Sequence, residues 1–257
     1  MPSFGYLDYE VSDHVAEITM LREPVNAINW KMAEEIFGAY NAAKDDEDVR
    51  AVVLASGIDQ AFSGGVDFEM SRGMSGSDHR RFQELFYLQQ HDIHHRMGKP
   101  TIAAVTGPAM AGGVTLAVNC NCIVMNEDAE LGYPEIDIGF VPGFHFVHLP
   151  RQVGRHKAFE LLFSGEPITG TEAEDIGLVN RAVPPGEVVS EARDLARTFA
   201  EKPAQIMEIA HSAYMQIIDE GYRRGLGHVM ALSSYVTNLD ESHEGRDAFV
   251  EDREPEW

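Results

Sequence analysis

The fold is decided by residues 51–67, which read AVVLASGIDQAFSGGVD. The first five residues are continuously apolar, which is typical of a strand covered on both faces of a sheet. The turn that follows contains Gly64 and Gly65, and paired glycines let the backbone approach a ligand closely. This arrangement leaves the N–H of Val66 free to point at that ligand. We therefore predict a binding turn after this strand.

A second segment repeats this design at residues 101–113, which read TIAAVTGPAMAGG. Thr101 to Val105 is predicted to form another buried strand, and residues 111–118 are predicted to form a short buried helix. The first N–H groups of a helix have no internal partner and carry the positive end of its dipole. Two such turns can form an oxyanion hole, which holds a developing negative charge. Taken alone, each glycine pair is also typical of an ordinary tight turn.

The third segment, residues 131–143, reads LGYPEIDIGFVPG and carries a carboxylate among apolar residues and prolines. A carboxylate in such surroundings tends to have a raised pKa, which suits it to move protons near neutral pH. Glu135 is therefore a candidate general acid or base. A glutamate on a solvated loop is the alternative interpretation.

Strands alternate with helices in the first part of the chain, and helices alone follow. A strand is predicted over 11–20, a helix over 29–43 with Asn29 as its N-cap, and a strand over 122–125. A long polar helix is predicted over 77–97. Further helices are predicted at 154–163, 172–176, 187–201, 204–218 and 222–240. This order indicates an α/β core with a helical C-terminal extension.

The composition is that of a folded and strongly acidic protein. Of its 257 residues, 44% are hydrophobic, while 42 acidic and 20 basic side chains give a formal net charge of −22. Such a surface repels phosphate backbones and anionic lipids, so neither nucleic acid nor a membrane is expected as a partner. No apolar run approaches the ~20 residues of a membrane span. The first residues lack the features of a signal peptide, so we predict a cytoplasmic protein.

The two cysteines, Cys120 and Cys122, are two positions apart in the chain. On a strand they would share one face, yet they are too close in sequence to form a disulfide easily. We interpret them as small buried residues in a reducing compartment.

Taken together, these segments resemble the crotonase superfamily, also called the enoyl-CoA hydratase/isomerase family. The resemblance extends almost from end to end and includes PVNAIN at 24–29, KPTIAAVTG at 99–107, GLVN at 177–180 and EGRDAF at 244–249. It implies an α/β fold with a spiral β-β-α core over residues 1–195 and a helical trimerisation region over residues 196–257. It also implies a homotrimer or a dimer of trimers.

The resemblance implies roles for particular residues. The backbone N–H groups of Val66 and Gly112 correspond to the family's two oxyanion donors, which hold an acyl carbonyl while an enolate forms. Glu135 matches the second of two glutamates that family hydratases use on water, whereas Thr115 stands where the first would be. A single glutamate resembles the family's enoyl-CoA isomerases, so Glu135 is predicted to move a proton between carbons. Substrate contacts are predicted at Ala27, Gly65, Asp67, Thr115 and Phe144.

Coenzyme A is predicted to be part of the substrate, and neither a permanently bound cofactor nor a metal is expected. Family members that bind coenzyme A commonly place lysines near its phosphates, but Glu69 and Asp252 occupy two such positions here. Arg22, Lys31 and Arg72 are candidates to replace those lysines. An alternative is a coenzyme A-independent hydrolase of C–C bonds in cyclic β-diketones, which resembles another branch of the superfamily. A non-catalytic binding or structural homologue is a third interpretation.

Histidines favour the hydrolase alternative. His145 and His148 follow the third segment and would share one face of a helix, where either can act as an acid or base near neutral pH. His145 is therefore the second predicted catalytic residue after Glu135. The structural alternative is that Phe144 and Phe146 fill core space and the histidines are ordinary hydrogen-bond donors.

A second histidine cluster, formed by His91, His94 and His95, lies on the long helix predicted over 77–97. His91 and His94 are three residues apart, which allows a metal site if a carboxylate completes it. A solvated or subunit-facing helix surface is the favoured interpretation of this cluster.

Overall fold

The computed structural model describes residues 3–202, 204–218, 223, 230, 234, 237–238 and 240–254. Its strands are β1 (Leu7–Ser12), β2 (Val15–Met20), β3 (Ala51–Ser56), β4 (Thr101–Val105), β5 (Ala109–Met110), β6 (Cys122–Asn126), β7 (Glu130–Gly132), β8 (Ile168–Thr169) and β9 (Arg181–Val183). Its α-helices are α1 (Trp30–Asp45), α2 (Phe68–Ser71), α3 (Gly76–Gln83), α4 (Gln90–His95), α5 (Gly112–Asn119), α6 (Gly143–Gln152), α7 (Arg155–Ser164), α8 (Gly170–Asp175), α9 (Val188–Ala200), α10 (Ala204–Ile218) and α11 (Asp240–Val250). A π-helical turn spans Glu84–Gln89, and a 3-10 turn spans Pro134–Ile138.

Six strands form the main sheet in the order β1-β2-β3-β4-β6-β9. Strands β1 and β2 pair antiparallel, and the other neighbouring pairs are parallel. A smaller sheet has the order β5-β7-β8. Parallel neighbours need long crossover connections, and the helices between these strands supply them. The architecture is therefore α/β, as the alternation of strands and helices predicts.

The burial of β3 on both faces explains its continuously apolar first five residues. Its side chains alternate between two apolar clusters, with Val52 and Leu54 in one and Ala51 and Val53 in the other. Helices α1 and α5 contribute to the first cluster, while α9 covers the second. A strand buried on both faces has no position for a polar side chain, because successive side chains point to opposite faces.

Two predictions about strands are wrong. Residues 11–20 form two strands that meet in a hairpin, because Asp13 and His14 have φ of 50° and 63°. A two-residue turn with both φ values positive matches the twist of its flanking strands, although this pair lacks the glycine that usually marks it. Cys120 is the C-cap residue that follows α5, and Cys122 begins β6, so the two cysteines do not share a strand face.

The predicted helices agree with the structure more closely. Asn29 caps α1, since its side chain accepts a hydrogen bond from Met32 N at 2.9 Å. The helix predicted over 77–97 is the continuous succession of α3, the π-helical turn and α4. Most of the helix predicted over 222–240 lies outside the described residues. Within the described ranges, no helix combines the length and the apolar character needed to cross a bilayer.

The order of strands in the main sheet brings the two glycine turns together. β3 and β4 are parallel neighbours, so the turns that follow them leave the same edge of the sheet. Met110 N donates to Ser63 O at 3.0 Å, and Phe62 N donates to Pro108 O at 2.9 Å. The two turns are therefore joined by backbone hydrogen bonds.

Candidate active site

The two glycine turns touch each other through backbone atoms. Gly65 has a φ of +92°, and a Cβ at this position would lie 2.8 Å from Met110 O. A Cβ on Gly113 would lie 2.2 Å from Ser63 O. The positive φ at Gly65 favours glycine there. Both Gly65 and Gly113 must also lack a side chain, because the opposite turn occupies the space that a Cβ would fill.

We expect Gly113→Ala to lower the free energy of unfolding by about 1–3 kcal/mol or more. The clashing atom, Ser63 O, belongs to the backbone and moves only if the whole turn shifts. A matched control is Gly38→Ala in α1, where the new Cβ would lie 3.5 Å from Phe4 Cε1. In a helix, alanine is favoured over glycine by roughly 0.5–1 kcal/mol. Thermal unfolding should show a lower Tm for the first variant only, and equal Tm values would contradict this packing.

Val66 and Gly112 present backbone N–H groups to the same place. Ile28 N donates to Gly65 O and Asp67 N donates to Ile28 O, so the N–H of Val66 points away from this ladder. Gly112 is the first residue of α5, where N–H groups have no helical partner. A Cβ on Gly112 would lie 3.3 Å from Val66 N. Within the described residues, neither amide donates to a protein acceptor, so both are available to a ligand.

Ala111 holds the second amide in place through a strained backbone. Its φ of 49° and ψ of −116° lie outside the regions that residues with a side chain prefer, at a cost of about 1–3 kcal/mol. Ala111 N donates to Gly132 O at 2.9 Å, and Ala111 O accepts from Val114 N at 3.0 Å. These bonds fix the peptide group between Ala111 and Gly112, whose N–H is the predicted donor.

Glu135 places one carboxyl oxygen in the protein interior. It lies at the start of the 3-10 turn that Pro134 begins. Its Oε2 is buried without a hydrogen-bond partner among the described residues. Burial raises the pKa of this carboxyl group to about 7, because the charged form loses its hydration. The group therefore gains and loses a proton near neutral pH, as an efficient general acid or base does.

Two tyrosines surround the Glu135 carboxyl group. Burial raises the pKa of Tyr87 and of Tyr133, and the negative charge of Glu135 raises both further. Both side chains are therefore neutral phenols at physiological pH. The Tyr133 hydroxyl is buried, and no partner for it lies in the described part of the chain.

His145 is buried against the peptide group that precedes Gly112. It is 2% exposed, and its Nε2 lies 3.4 Å from Ala111 O and from Thr115 Oγ1. Burial lowers the pKa of His145 and of His148 to about 3, which contradicts the expectation that they titrate near neutral pH. A neutral ring donates from one nitrogen only. With Nε2–H donated to Ala111 O, Nδ1 is an acceptor, and it is buried without a partner among the described residues.

One cavity of about 100 Å³ brings these groups together. Its walls contain five of the residues that the sequence singles out: Val66, Gly112, Glu135, Phe144 and His145. Two free amides, a carboxyl group and a neutral imidazole thus face one small and largely apolar space. Electrostatic interactions in such a space are stronger than in water.

Four other predicted substrate contacts are not among the described residues of the cavity wall. Thr115 is fully buried, and its hydroxyl faces His145. Arg22 donates to Ala27 O and pairs with Asp67 at 2.6 Å. Gly65, the fourth, supports the turn as described above. Substrate contacts at these four positions stay predictions.

The cations proposed to hold coenzyme A differ in availability. Arg22 is held by Asp67 as described above, and Arg72 lies 3.2 Å from Asp247. The Lys31 side chain is 60% exposed, and its ammonium group lies 3.7 Å from its nearest carboxylate. Of these three cations, Lys31 is therefore the most accessible to an anionic ligand.

The second histidine cluster is divided between the interior and the surface. His94 is 2% exposed, its ring centroid lies 4.3 Å from that of Tyr40, and its Nδ1 lies 3.2 Å from Thr101 Oγ1. A solvated surface is therefore the wrong interpretation for His94, while His91 and His95 are half-buried. In the part of the chain that the structure describes, no three His, Cys, Asp or Glu side chains are grouped to hold a metal ion.

The segment from α3 to the π-helical turn supplies wall residues that sequence patterns did not single out. His79, Gln83 and Tyr87 all line the cavity. They are four residues apart, which places them on one face of the helical segment. The spacing of four residues is visible in the sequence. Whether this face of the helical segment points to the site depends on how the segment packs against the glycine turns.

Comparison with known proteins agrees with this fold and site. Residues 10–257 match the family described as Enoyl-CoA hydratase/isomerase. The chain therefore belongs to this family, and its α/β architecture is the crotonase fold. The division at residue 195 and trimer formation stay predictions.

Two curated relatives and one solved structure are similar to this chain over nearly their whole length. The chain is 34% identical over 248 residues to a putative enoyl-CoA hydratase of Thermus thermophilus, covering 95% of this chain and 97% of the relative. It is 34% identical over 253 residues to a probable enoyl-CoA hydratase of Bacillus subtilis, covering 96% of each. A solved enoyl-CoA hydratase/isomerase from Xanthobacter autotrophicus Py2 has a TM-score of 0.86 and 28% identity, covering 97% of this chain and 94% of that one.

Proposed function

We propose that this protein moves the double bond of an enoyl-CoA thioester, with Glu135 as its single proton-transferring group. The main support for this proposal is that Glu135 supplies the only carboxylate among the described residues of the cavity wall. Thr115, at the position of the first glutamate of family hydratases, turns its hydroxyl to His145. The described cavity wall therefore offers one carboxylate for proton transfer. This supports the isomerase pathway, which needs one carboxylate, over the hydratase pathway that uses two.

The proposed reaction begins with a 3-enoyl thioester whose carbonyl oxygen accepts hydrogen bonds from Val66 N–H and Gly112 N–H. The Glu135 carboxylate removes a proton from the α-carbon, and the electron pair of the C–H bond moves towards the thioester oxygen. The two amides stabilise the resulting enolate. The neutral Glu135 carboxyl group then returns the proton at the γ-carbon, while the double bond shifts to the α,β position.

The products of trans-3-hexenoyl-CoA test this proposal. We expect trans-2-hexenoyl-CoA of unchanged mass, because no water enters the reaction. Chromatography with mass detection separates this product from a hydrated one, which gains the mass of one water. Formation of 3-hydroxyacyl-CoA from trans-2-hexenoyl-CoA as the dominant reaction would contradict the single-carboxylate pathway.

Hydration is the second candidate, and one observation favours it. The curated relatives described above are named as putative or probable enoyl-CoA hydratases. In this case the water oxygen bonds to the β-carbon while the Glu135 carboxylate takes one proton from that water, and the resulting carboxyl group returns the proton to the α-carbon.

The coenzyme A-independent hydrolase is a third candidate, favoured by the ion pairs that occupy Arg22 and Arg72. Calorimetric titration with coenzyme A and acetyl-CoA distinguishes it from the first two. Heat of binding supports a thioester substrate, whereas cleavage of a cyclic β-diketone without such binding would support the hydrolase.

The pKa of Glu135 predicts how the proposed isomerisation depends on pH. The carboxyl group must be ionised to remove the α-proton, and its pKa is raised to about 7. We therefore expect kcat/KM to rise about tenfold per pH unit below pH 7 and to level off above it. Initial rates measured across this range check the profile. A flat profile through neutral pH would contradict Glu135 as the base.

A further inference from the structure

Glu135 has no charged neighbour in the described wall of the cavity. None of the other described lining residues is a lysine, arginine, aspartate or glutamate. Burial is the largest influence on its ionisation and raises its pKa to about 7. The proposed reaction begins with the ionised form, and a hydrogen bond donated to a carboxylate favours that form. A neutral donor in the wall therefore bears directly on the reactive state of Glu135.

The described wall contains three hydroxyl groups, and two of them are already engaged. Ser71 Oγ donates to Phe68 O at 2.9 Å. Thr237 Oγ1 donates to Ser234 O at 3.0 Å. The third hydroxyl group belongs to Tyr87, and among the described residues it is bonded to no acceptor.

The titratable side chains around Glu135 are neutral at physiological pH. Burial raises the pKa of Tyr87 and Tyr133, and it lowers the pKa of His145 to about 3 and that of His79 to about 4. The charge of Glu135 acts on both tyrosines and on neither histidine. Of the two tyrosines, Tyr87 lines the described cavity.

The helices packed against the 3-10 turn do not supply a charge either. Helices α7 and α11 contact this turn. None of their described charged side chains is among the influences on the pKa of Glu135, which are burial and a backbone hydrogen bond. Stabilisation of the carboxylate therefore depends on hydrogen bonds from neutral groups.

The ring of Tyr87 is held in place by two buried phenylalanines. It stacks on Phe144 with ring centroids 5.4 Å apart and an interplanar angle of 23°. It meets Phe86 edge-on, with centroids 4.9 Å apart. Tyr87 also belongs to the π-helical turn, and such turns are frequent at functional sites. A side chain locked by its packing places its polar group precisely.

We propose that Tyr87 is a positioning residue whose hydroxyl group donates a hydrogen bond to the ionised Glu135 carboxylate, directly or through one water molecule. The cavity that both residues line has a volume of about 100 Å³, which corresponds to about three water molecules. A space of this size holds few atoms between the groups on its walls. The role of this bond in catalysis rests on the proposed function, because it orients the group that removes the α-proton.

Tyr87→Phe removes the hydroxyl group and keeps the stacked ring. We expect the pKa of Glu135 to rise by about one pH unit, because its charged form loses a donor. A 13C NMR titration of protein labelled at the glutamate carboxyl carbon measures this pKa without turnover, and Glu135→Gln identifies the signal. Tyr214→Phe, at a side chain 61% exposed on α10, is the matched control and should leave the signal unchanged. An unchanged or lower pKa in Tyr87→Phe would overturn the inference.

The kinetics of the same variant separate positioning from substrate contact. With trans-3-hexenoyl-CoA, we expect the inflection of the kcat/KM profile to move to higher pH by the same amount, which lowers kcat/KM at pH 7 about fivefold. In the Glu135→Gln background, Tyr87→Phe should lower kcat no further, because residues that act through one group are not additive. A full additional loss there would show that Tyr87 contacts the substrate instead. A shifted NMR titration without any isomerisation would contradict the proposed function and leave the hydrogen bond standing.

Discussion

Glu135→Gln is expected to lower kcat for double-bond migration by roughly 10²- to 10⁴-fold, the usual contribution of a general acid or base. The amide has nearly the same shape as the carboxyl group but cannot exchange a proton at neutral pH. KM should therefore change much less than kcat. Initial rates with trans-3-hexenoyl-CoA measure both quantities.

Asp137→Asn is the matched control for this substitution. Asp137 lies two residues further along the same 3-10 turn, but its side chain is exposed. We expect its kcat to stay within about threefold of the unmodified protein. The Glu135→Gln variant should also keep its Tm, because the buried Oε2 has no partner to lose among the described residues. Comparable kcat values for the two variants would remove Glu135 from the mechanism.

Gly112→Pro is expected to lower kcat by about 10²- to 10³-fold, because it deletes one donor of the oxyanion hole. Proline has no N–H, and the first position of a helix is where its ring is tolerated best. Gly112 is the first residue of α5, so the helix itself needs no hydrogen bond from this amide.

Gly112→Ala separates loss of the N–H from added bulk. The new Cβ would lie 3.1 Å from Val66 Cγ2, 3.2 Å from Phe86 Cε1 and 3.3 Å from Val66 N, so it crowds the site as the Cβ of proline does but keeps the N–H. We expect this variant to keep more activity than Gly112→Pro, with its folding checked by circular dichroism. If alanine and proline reduce kcat equally, the amide of Gly112 does not hold the substrate oxygen.

The parts of the site that follow from local sequence could be predicted. Apolar runs identify β3 and β4 as strands buried on both faces, and the glycine pairs after them identify the two turns. Glu135 stands out because its neighbours are apolar. The sharing of one cavity by these groups follows only from the sheet order, which places β3 beside β4.

The parts that depend on distant segments or unusual turns could not be predicted. The hairpin at Asp13 and His14 has no local signal in the sequence, because neither residue is glycine. Arg246 reaches His79 from a helix near the other end of the chain, and no local pattern reports such a contact. The low pKa of His145 follows from its complete burial, which a helical spacing of three residues does not indicate.

The contact between Thr115 and His145 constrains how this enzyme can change its chemistry. Placing a glutamate at position 115 puts a second carboxylate beside the imidazole, where it is placed to accept the hydrogen of His145 Nε2. That carboxylate would be engaged before it could orient a water molecule. A second carboxylate that orients water therefore requires changes at both positions 115 and 145.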